Sequence, residues 1–134
     1  MGNQAVSEEY NGASWTTGNA MNTARESLGG LGTQTAGLSF GGYTTGTVDE
    51  VEEYNGTSWT DVGGNLGTAR YGSNGSGTQS AGLYANGQGA SGNTDRTEEY
   101  DGSSWSSGGD LQEAMSNTSG FGTQTAGVRF GGEN

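Results

Sequence analysis

The sequence predicts an all-β protein built from repeated four-stranded antiparallel sheets. Three observations lead to this prediction: the same motifs recur three times, short apolar segments alternate with glycine-rich turns, and no segment keeps a helical period. The composition alone, with 28% hydrophobic residues, 29 glycines and a net charge of −11, is typical of a disordered chain. Because the few large apolar residues recur at fixed positions, we expect a folded protein instead.

The repeat consists of motifs that return in the same order. An acidic motif that ends in tyrosine and Asn-Gly or Asp-Gly begins at Glu8, Glu52 and Glu98, and Ser-Trp follows it each time. A Gly-Thr-Gln motif begins at Gly32 and returns twice with only small changes. The spacing of about 45 residues lies in the range of β-propeller blades, each of which is a four-stranded sheet.

One predicted strand of each repeat is poor in large side chains, and a second one alternates small and apolar residues. Segment 27–31 and its counterparts at 72–75 and 117–120 consist mostly of small residues, which suits an innermost strand crowded around a central axis. Segment 36–40 alternates small and apolar residues and stops at Gly41-Gly42. These segments are expected to form the inner half of a blade.

Two further strands are predicted around a turn. Segment 51–54 ends at Asn55-Gly56, which is a strong hairpin signal and predicts a type I′ turn, and segment 57–60 then pairs back. The same turn chemistry recurs at 11–12 and 101–102. These segments are expected to form the outer half of a blade.

The order of these features resembles the kelch repeat. In that family a double glycine follows an apolar strand, and a tyrosine and then a tryptophan come after it; here these are Phe40-Gly41-Gly42, Tyr54 and Trp59. The amino-acid sequences of the repeats are also similar to those of kelch-like arrays in marine phage and environmental bacterial proteins. This second resemblance implies a component of a virion or of a surface fibre.

The later copies depart from the pattern at two places. Ala85-Asn86-Gly87 replaces the apolar residue and double glycine, and Met115 stands where the resemblance implies an arginine like Arg25 and Arg70. Whether the third copy makes the polar contact expected of that arginine is therefore left open.

The resemblance implies that strands run from the inside of a blade outwards, which divides the chain into half-blades and blades. On that basis residues 1–134 form a single repeat domain: an outer half-blade at 5–17, full blades at 23–61 and 68–107, and an inner half-blade at 114–132. This makes three kelch-like four-stranded blades per chain, fewer than the roughly four to eight of closed propellers. The open ends should leave strand edges that invite pairing with another chain.

A second copy of the chain is the expected partner. Two copies that exchange half-blades would complete a six-bladed β-propeller with two-fold symmetry, the commonest symmetry of homo-oligomers. Two alternatives remain open: the chain is a fragment of a longer array, or it assembles head to tail into a filament.

Several kinds of chemistry are excluded by composition. Without cysteine or histidine there is no disulfide, conventional zinc site or imidazole base, and no cofactor is expected. Fifteen carboxylates against four arginines disfavour nucleic acid as a partner. No segment has the roughly 20 apolar residues of a membrane span, and the first residues lack the pattern of an export signal. We expect a soluble protein, with cytoplasmic and virion settings both open.

The repeated side chains are expected to form a structural framework. Their identical placement indicates that the aromatic residues fill the space between blades, and we expect one glutamate per blade to pair with an arginine. The framework residues are Tyr10, Trp15, Tyr54, Trp59, Tyr100, Trp105, Arg25 and Arg70.

Ligand contacts, by contrast, are expected in the two connections that differ between repeats, 43–50 and 88–96, because variable loops on a rigid scaffold usually form the binding surface. The candidate residues are Tyr43, Asp49, Glu50, Asn93, Asp95 and Arg96.

These observations favour a non-catalytic structural or binding module that recognises a glycan or a protein through its loops. The alternative function is a polysaccharide-acting enzyme with a pair of carboxylates. Such a pair would come from the acidic residues outside the repeated motif: Asp49, Glu50, Asp61, Asp95 and Asp110.

Overall fold

The computed structural model describes residues 2–134, and within them it contains fourteen short strands and no helix. The prediction of an all-β protein is therefore confirmed. In chain order the strands are β1 (Glu8–Tyr10), β2 (Trp15–Thr17), β3 (Gly29–Thr33), β4 (Ala36–Phe40), β5 (Val51–Tyr54), β6 (Trp59–Asp61), β7 (Gly75–Thr78), β8 (Ala81–Ala85), β9 (Gln88–Gly89), β10 (Gly92–Asn93), β11 (Thr97–Tyr100), β12 (Trp105–Ser107), β13 (Ser119–Thr123) and β14 (Ala126–Phe130).

The strands form two complete sheets flanked by two half-sheets. Strands β3-β4-β5-β6 make the first central sheet and β7-β8-β11-β12 the second, both antiparallel with neighbouring strands joined along the chain. Strands β1 and β2 pair only with each other and form the N-terminal half-sheet. Strands β13 and β14 likewise form the C-terminal half-sheet. The small hairpin β9–β10 lies in the connection between β8 and β11.

The innermost strands begin later than the sequence predicts. Strand β3 starts at Gly29 and β7 at Gly75, two to three residues after the predicted starts. The cause is a positive φ just before each strand, 53° at Ser27 and 72° at Gly72, which interrupts an extended backbone. Strands β3, β7 and β13 lie side by side, so the small-sided strands of successive sheets are neighbours.

The outer hairpins form as predicted, but their turns are not of type I′. Tyr54 pairs with Trp59, which leaves residues 55–58 as the loop, and of the pair Asn55-Gly56 only the glycine has a positive φ, 89°. The Asn55 side chain explains the difference: its Oδ1 accepts hydrogen bonds from the N–H groups of Thr57 and Ser58, each at 2.9 Å. Side-chain bonding of this kind stabilises a turn without a left-handed asparagine.

The third of these turns is charged, and its stability should depend on pH. The N–H groups of Ser103 and Ser104 donate to the Asp101 carboxylate and lower its pKa. Because the folded pKa lies below the unfolded value of about 3.9, this stabilisation is present above that pH and is lost as the pH falls. Asp101→Asn should remove this dependence, as Asn11 and Asn55 make the same bonds uncharged. Urea unfolding of both proteins between about pH 2 and 6 measures the difference; parallel curves would contradict it.

The hydrophobic core lies between the two central sheets. The Phe40 ring, fully buried, packs on Tyr84 at 4.7 Å and edge-on to Trp105 at 5.2 Å. It also lies against Gly29 and Gly75, where an added Cβ would come within 2.2 Å and 2.5 Å of ring atoms. The glycines of the inner strands therefore make room for the aromatic core.

Candidate functional site

Each central sheet contains one buried ion pair. Arg25 lies 3.1 Å from Glu52, and Arg70 lies 3.0 Å from Glu98. Arg25 also donates to the carbonyl oxygens of Gly41 and Glu50 and to Ser39 Oγ, so both Nη atoms have partners, whereas its buried Nε has none. These arginines and glutamates have structural roles inside single sheets.

Arg70 has a second attraction, to an aromatic ring. Its guanidinium lies 4.4 Å from the ring centroid of Tyr84. Burial lowers the pKa of Arg70, and burial raises that of Tyr84 to about 12.

The aromatic framework is buried in the central sheets and exposed at the N-terminal half-sheet. Tyr54 and Tyr100 are buried, whereas their counterpart Tyr10 is 47% exposed and Trp15 is 65% exposed. The sequence-based expectation that all six aromatic side chains pack between sheets is therefore wrong for Tyr10 and Trp15 within this chain. The physical reason is that β1 has no inner strands beside it to cover these rings.

The C-terminal half-sheet is exposed in the complementary way. Phe130 is 50% exposed and Val128 is also 50% exposed, although their counterparts Phe40 and Leu38 are buried in the first central sheet. Phe121 is exposed beside Phe130. This half-sheet has inner strands but no outer strands to cover it.

A cavity accompanies each half-sheet. One of about 560 Å³ opens between the N-terminal half-sheet and the first central sheet, with Tyr10, Trp15, Leu38, Tyr54 and Trp59 among its lining residues. Another of about 280 Å³ lies between the second central sheet and the C-terminal half-sheet. The first cavity is largely apolar and the second is mixed polar and apolar, and each lies next to a strand with one unpaired edge.

One contact that repeats from sheet to sheet stops at the N-terminal half-sheet. Gln79 donates through Nε2 to the carbonyl oxygens of Gly37 and Tyr54, at 2.9 Å and 3.1 Å. Gln124 makes the equivalent two bonds to the second central sheet. Gln34, by contrast, reaches only the Tyr10 carbonyl, at 3.3 Å. Sequence reasoning overlooked these glutamines, although their recurrence in the Gly-Thr-Gln motif was a usable signal.

A tyrosine–glutamate contact ends in the same way. The Tyr100 hydroxyl donates to Glu53 of the preceding sheet at 3.0 Å, and the Tyr54 hydroxyl donates to Glu9. The next pair in this series would join the Tyr10 hydroxyl to Glu99, which lies on β11 in the second central sheet. Residues 2–134 contain no such bond, so the series stops at Tyr10 on one side and at Glu99 on the other.

Two of the loop candidates, Tyr43 and Asn93, belong to a line of four neighbouring side chains that also contains Tyr71 and Gln88. We call these four residues the polar and aromatic row. Tyr43 packs edge-on to Tyr71, with ring centroids 5.5 Å apart, and the Tyr71 hydroxyl bonds to Gln88. Gln88 pairs with Asn93 across the β9–β10 hairpin. Because each of these positions differs from its counterparts in the other repeats, the row is the part of the framework best suited to contact a ligand.

The other loop candidates take part in the fold mainly through hydrogen bonds of their backbone carbonyl groups. The carbonyl of Asp49 accepts from the N–H of Leu66, and that of Glu50 accepts from Gly41. Likewise, the carbonyl of Asp95 accepts from the N–H of Leu111, and that of Arg96 accepts from the N–H of Asn86. The structure thus separates these four residues by role from the row that contains Tyr43 and Asn93.

The acidic residues of the alternative enzyme do not form one cluster. Asp95 and Asp110 line a common cavity of about 400 Å³ with Arg96, while Asp61 accepts from the N–H of Gly63 in its own turn. Within residues 2–134 no group of three or more acidic side chains is placed to hold a metal ion. Nor does this part of the chain contain a helix long and apolar enough to cross a membrane.

No protein-family model matches the chain, and no curated protein matches it either. The kelch-like resemblance therefore stays a prediction, and the candidate site rests on the geometry of the two half-sheets.

Proposed function

We propose that this protein is a non-catalytic structural module that assembles with a second copy of itself. Each copy supplies two complete blades and two half-blades, and the pair forms a six-bladed, kelch-like β-propeller with two-fold symmetry. The half-blades are the N-terminal and C-terminal half-sheets. In each shared blade, one copy contributes the inner two strands and the other copy contributes the outer two.

The complementarity of the two half-sheets is the observation that carries this proposal. The half-sheet that lacks inner strands exposes Tyr10 and Trp15, and the half-sheet that lacks outer strands exposes Val128 and Phe130. Burying such aromatic and aliphatic side chains is the main driving force of association. A second copy is the occupant that offers both missing halves at once.

The central sheets supply the register of the shared blade. Gly37 pairs with Tyr54 in the first sheet, and Gly82 pairs with Tyr100 in the second. The equivalent pair in a shared blade joins Gly127 of β14 to Tyr10 of β1 in the other copy. This pairing satisfies the free edges of both strands, which would otherwise be open to aggregation. It also brings the Gly127 carbonyl within reach of the second N–H of the Gln34 amide.

The polar and aromatic row supports a binding role for the assembled propeller. Tyr43 and Tyr71 offer ring faces and edges, and Gln88 and Asn93 offer amide groups, a combination suited to a glycan. We propose that this row recognises a glycan on each copy. A glycan array should show hits that Tyr71→Ala removes and that Thr60→Ala, an exposed change on β6 outside both variable connections, retains. An array without hits would leave the structural role alone.

The mass in solution tests the self-assembly. Light scattering behind size exclusion should give twice the 13.5 kDa of one chain. Val128→Asp should give the mass of one chain, because it places a charge in the shared blade, while Thr45→Asp carries the same charge change and should stay dimeric. A folded monomer for the unchanged protein would overturn the proposal, and a ladder of larger species would replace the closed ring by a filament.

A further inference from the structure

In the third repeat, an arginine is missing at one position and present at a neighbouring one. Met115 stands at the position of Arg25 and Arg70, the arginines of the two buried ion pairs. In the same repeat, Arg129 stands on β14 at the position of Ser39 on β4 and of Tyr84 on β8. In the central sheets these two positions contact each other: Arg25 donates to Ser39 Oγ, and Arg70 lies over the Tyr84 ring. One cation has thus been lost and another gained a short distance away.

The Arg129 side chain already points towards the vacated position. Its Nη1 lies 2.8 Å from Sδ of Met115, the residue that replaces the expected arginine. A thioether is a weak acceptor for a guanidinium. Within residues 2–134 the ion pairs are those of Arg25 and Arg70, so Arg129 has no carboxylate partner there.

The strand register identifies the missing carboxylate. Ser39 is directly opposite Glu52 in the first central sheet, and Tyr84 is directly opposite Glu98 in the second. Glu52 and Glu98 are the carboxylates of the two buried ion pairs. Their counterpart in the N-terminal half-sheet is Glu8, which is exposed and without a cation in its own chain. In the shared blade, Glu8 of one copy would be directly opposite Arg129 of the other.

We infer that Arg129 of each copy forms an ion pair with Glu8 of the second copy, in place of the arginine lost at Met115. This inference rests on the proposed self-assembly and adds the residues that fix its register. The Glu8 carboxylate would also accept a backbone hydrogen bond from the segment before Met115, as Glu52 accepts from the N–H of Asn22 and Glu98 from that of Gly67, both at 2.7 Å.

An ion pair at this position selects one alignment of the two copies. A shift of one residue between β14 and β1 would turn every side chain to the opposite face of the sheet. A shift in one direction would place Ser7 opposite Arg129 and leave both charges without a partner, which is strongly unfavourable. A shift in the other direction would place Glu9 opposite Arg129 and take its carboxylate away from the Tyr54 hydroxyl, to which it is bonded within its own chain. By two-fold symmetry the assembly would contain the pair twice, once in each shared blade.

Charge reversal tests the pair. Arg129→Glu and Glu8→Arg should each raise the dimer dissociation constant by about 100-fold or more, because like charges then meet in both shared blades. The double variant should restore the affinity to within about tenfold. Arg96→Glu and Glu26→Arg are matched controls, since both side chains are exposed outside the half-sheets and carry the same changes of charge. Analytical ultracentrifugation over a range of concentrations measures all six proteins.

Mixing the two single variants separates a lost ion pair from a folding defect. A heterodimer of Arg129→Glu with Glu8→Arg has opposite charges in both shared blades, so the mixture should form dimers that neither variant forms alone. Native mass spectrometry, with one variant isotopically labelled, detects this species. Failure of the mixture and of the double variant, with the unchanged protein dimeric, would overturn the ion pair and leave the self-assembly standing. A monomeric unchanged protein would overturn both.

Discussion

Phe40→Ala should lower the free energy of unfolding by about 3–5 kcal/mol, because it removes a fully buried ring from close-packed surroundings. The ring touches Tyr84 and Trp105 of the second central sheet, so the change also weakens the contact between sheets. Gly29 and Gly75, which lie against the ring, have no side chains that could fill the cavity. Urea unfolding followed by tryptophan fluorescence measures the loss.

Phe130→Ala is the matched control, because Phe130 occupies the same repeat position in the C-terminal half-sheet and is half exposed in a single chain. In the proposed dimer its effect should shrink as the protein is diluted, since the exposed half of the ring would be covered by the second copy. The loss from Phe40→Ala should be the same at every concentration. Equal effects of both substitutions in dilute solution would show that the two rings have equivalent surroundings in one chain.

Arg70→Met should cost about 3–5 kcal/mol, the usual effect of removing one partner of a buried ion pair. The substitution leaves the Glu98 carboxylate, 3.0 Å from the guanidinium in the folded protein, without its cation. It also removes the cation from the face of Tyr84 and a hydrogen bond to the carbonyl of Arg96. Methionine is the informative replacement because the third repeat carries Met115 at this position.

Arg70→Met combined with Glu98→Gln should recover part of the loss, because the buried charge is then absent. Arg96→Met removes an exposed arginine and should change stability by no more than about 0.5 kcal/mol. A loss below about 1 kcal/mol for Arg70→Met would mean that water or another group reaches Glu98. Chemical denaturation at one protein concentration compares the three variants.

Repetition in the sequence predicts the strands because it reports on local structure. The acidic hairpins and the Gly-Thr-Gln segments form similar strands wherever they recur, as β5 and β11 illustrate. The turn type was predicted wrongly, because Asn55 is used for its side-chain acceptor and not for a left-handed backbone. Residue identity alone does not distinguish these two uses of asparagine.

Position along the chain, by contrast, decides which copies of a motif are buried. Trp15 and Trp105 belong to the same motif, yet Trp15 is exposed and Trp105 packs on Phe40. The difference arises from neighbouring strands that only the structure supplies. The exchange between Met115 and Arg129 was visible in the sequence only as one missing arginine, because the strand register was needed to connect the two positions.

The inner strands also set how neighbouring sheets are tilted against each other. Leu31 lies against Gly82, and Leu83 lies against Gly127, where an added Cβ would come within 2.9 Å and 2.8 Å of a leucine carbon. Towards the outer strands the gap is instead filled by Trp105. In the proposed propeller, small residues at the inner strands and a large ring further out would make the gap between neighbouring blades wider towards the outside. The sizes of these side chains would then contribute to the angle between neighbouring blades, and with it to the number of blades in the ring.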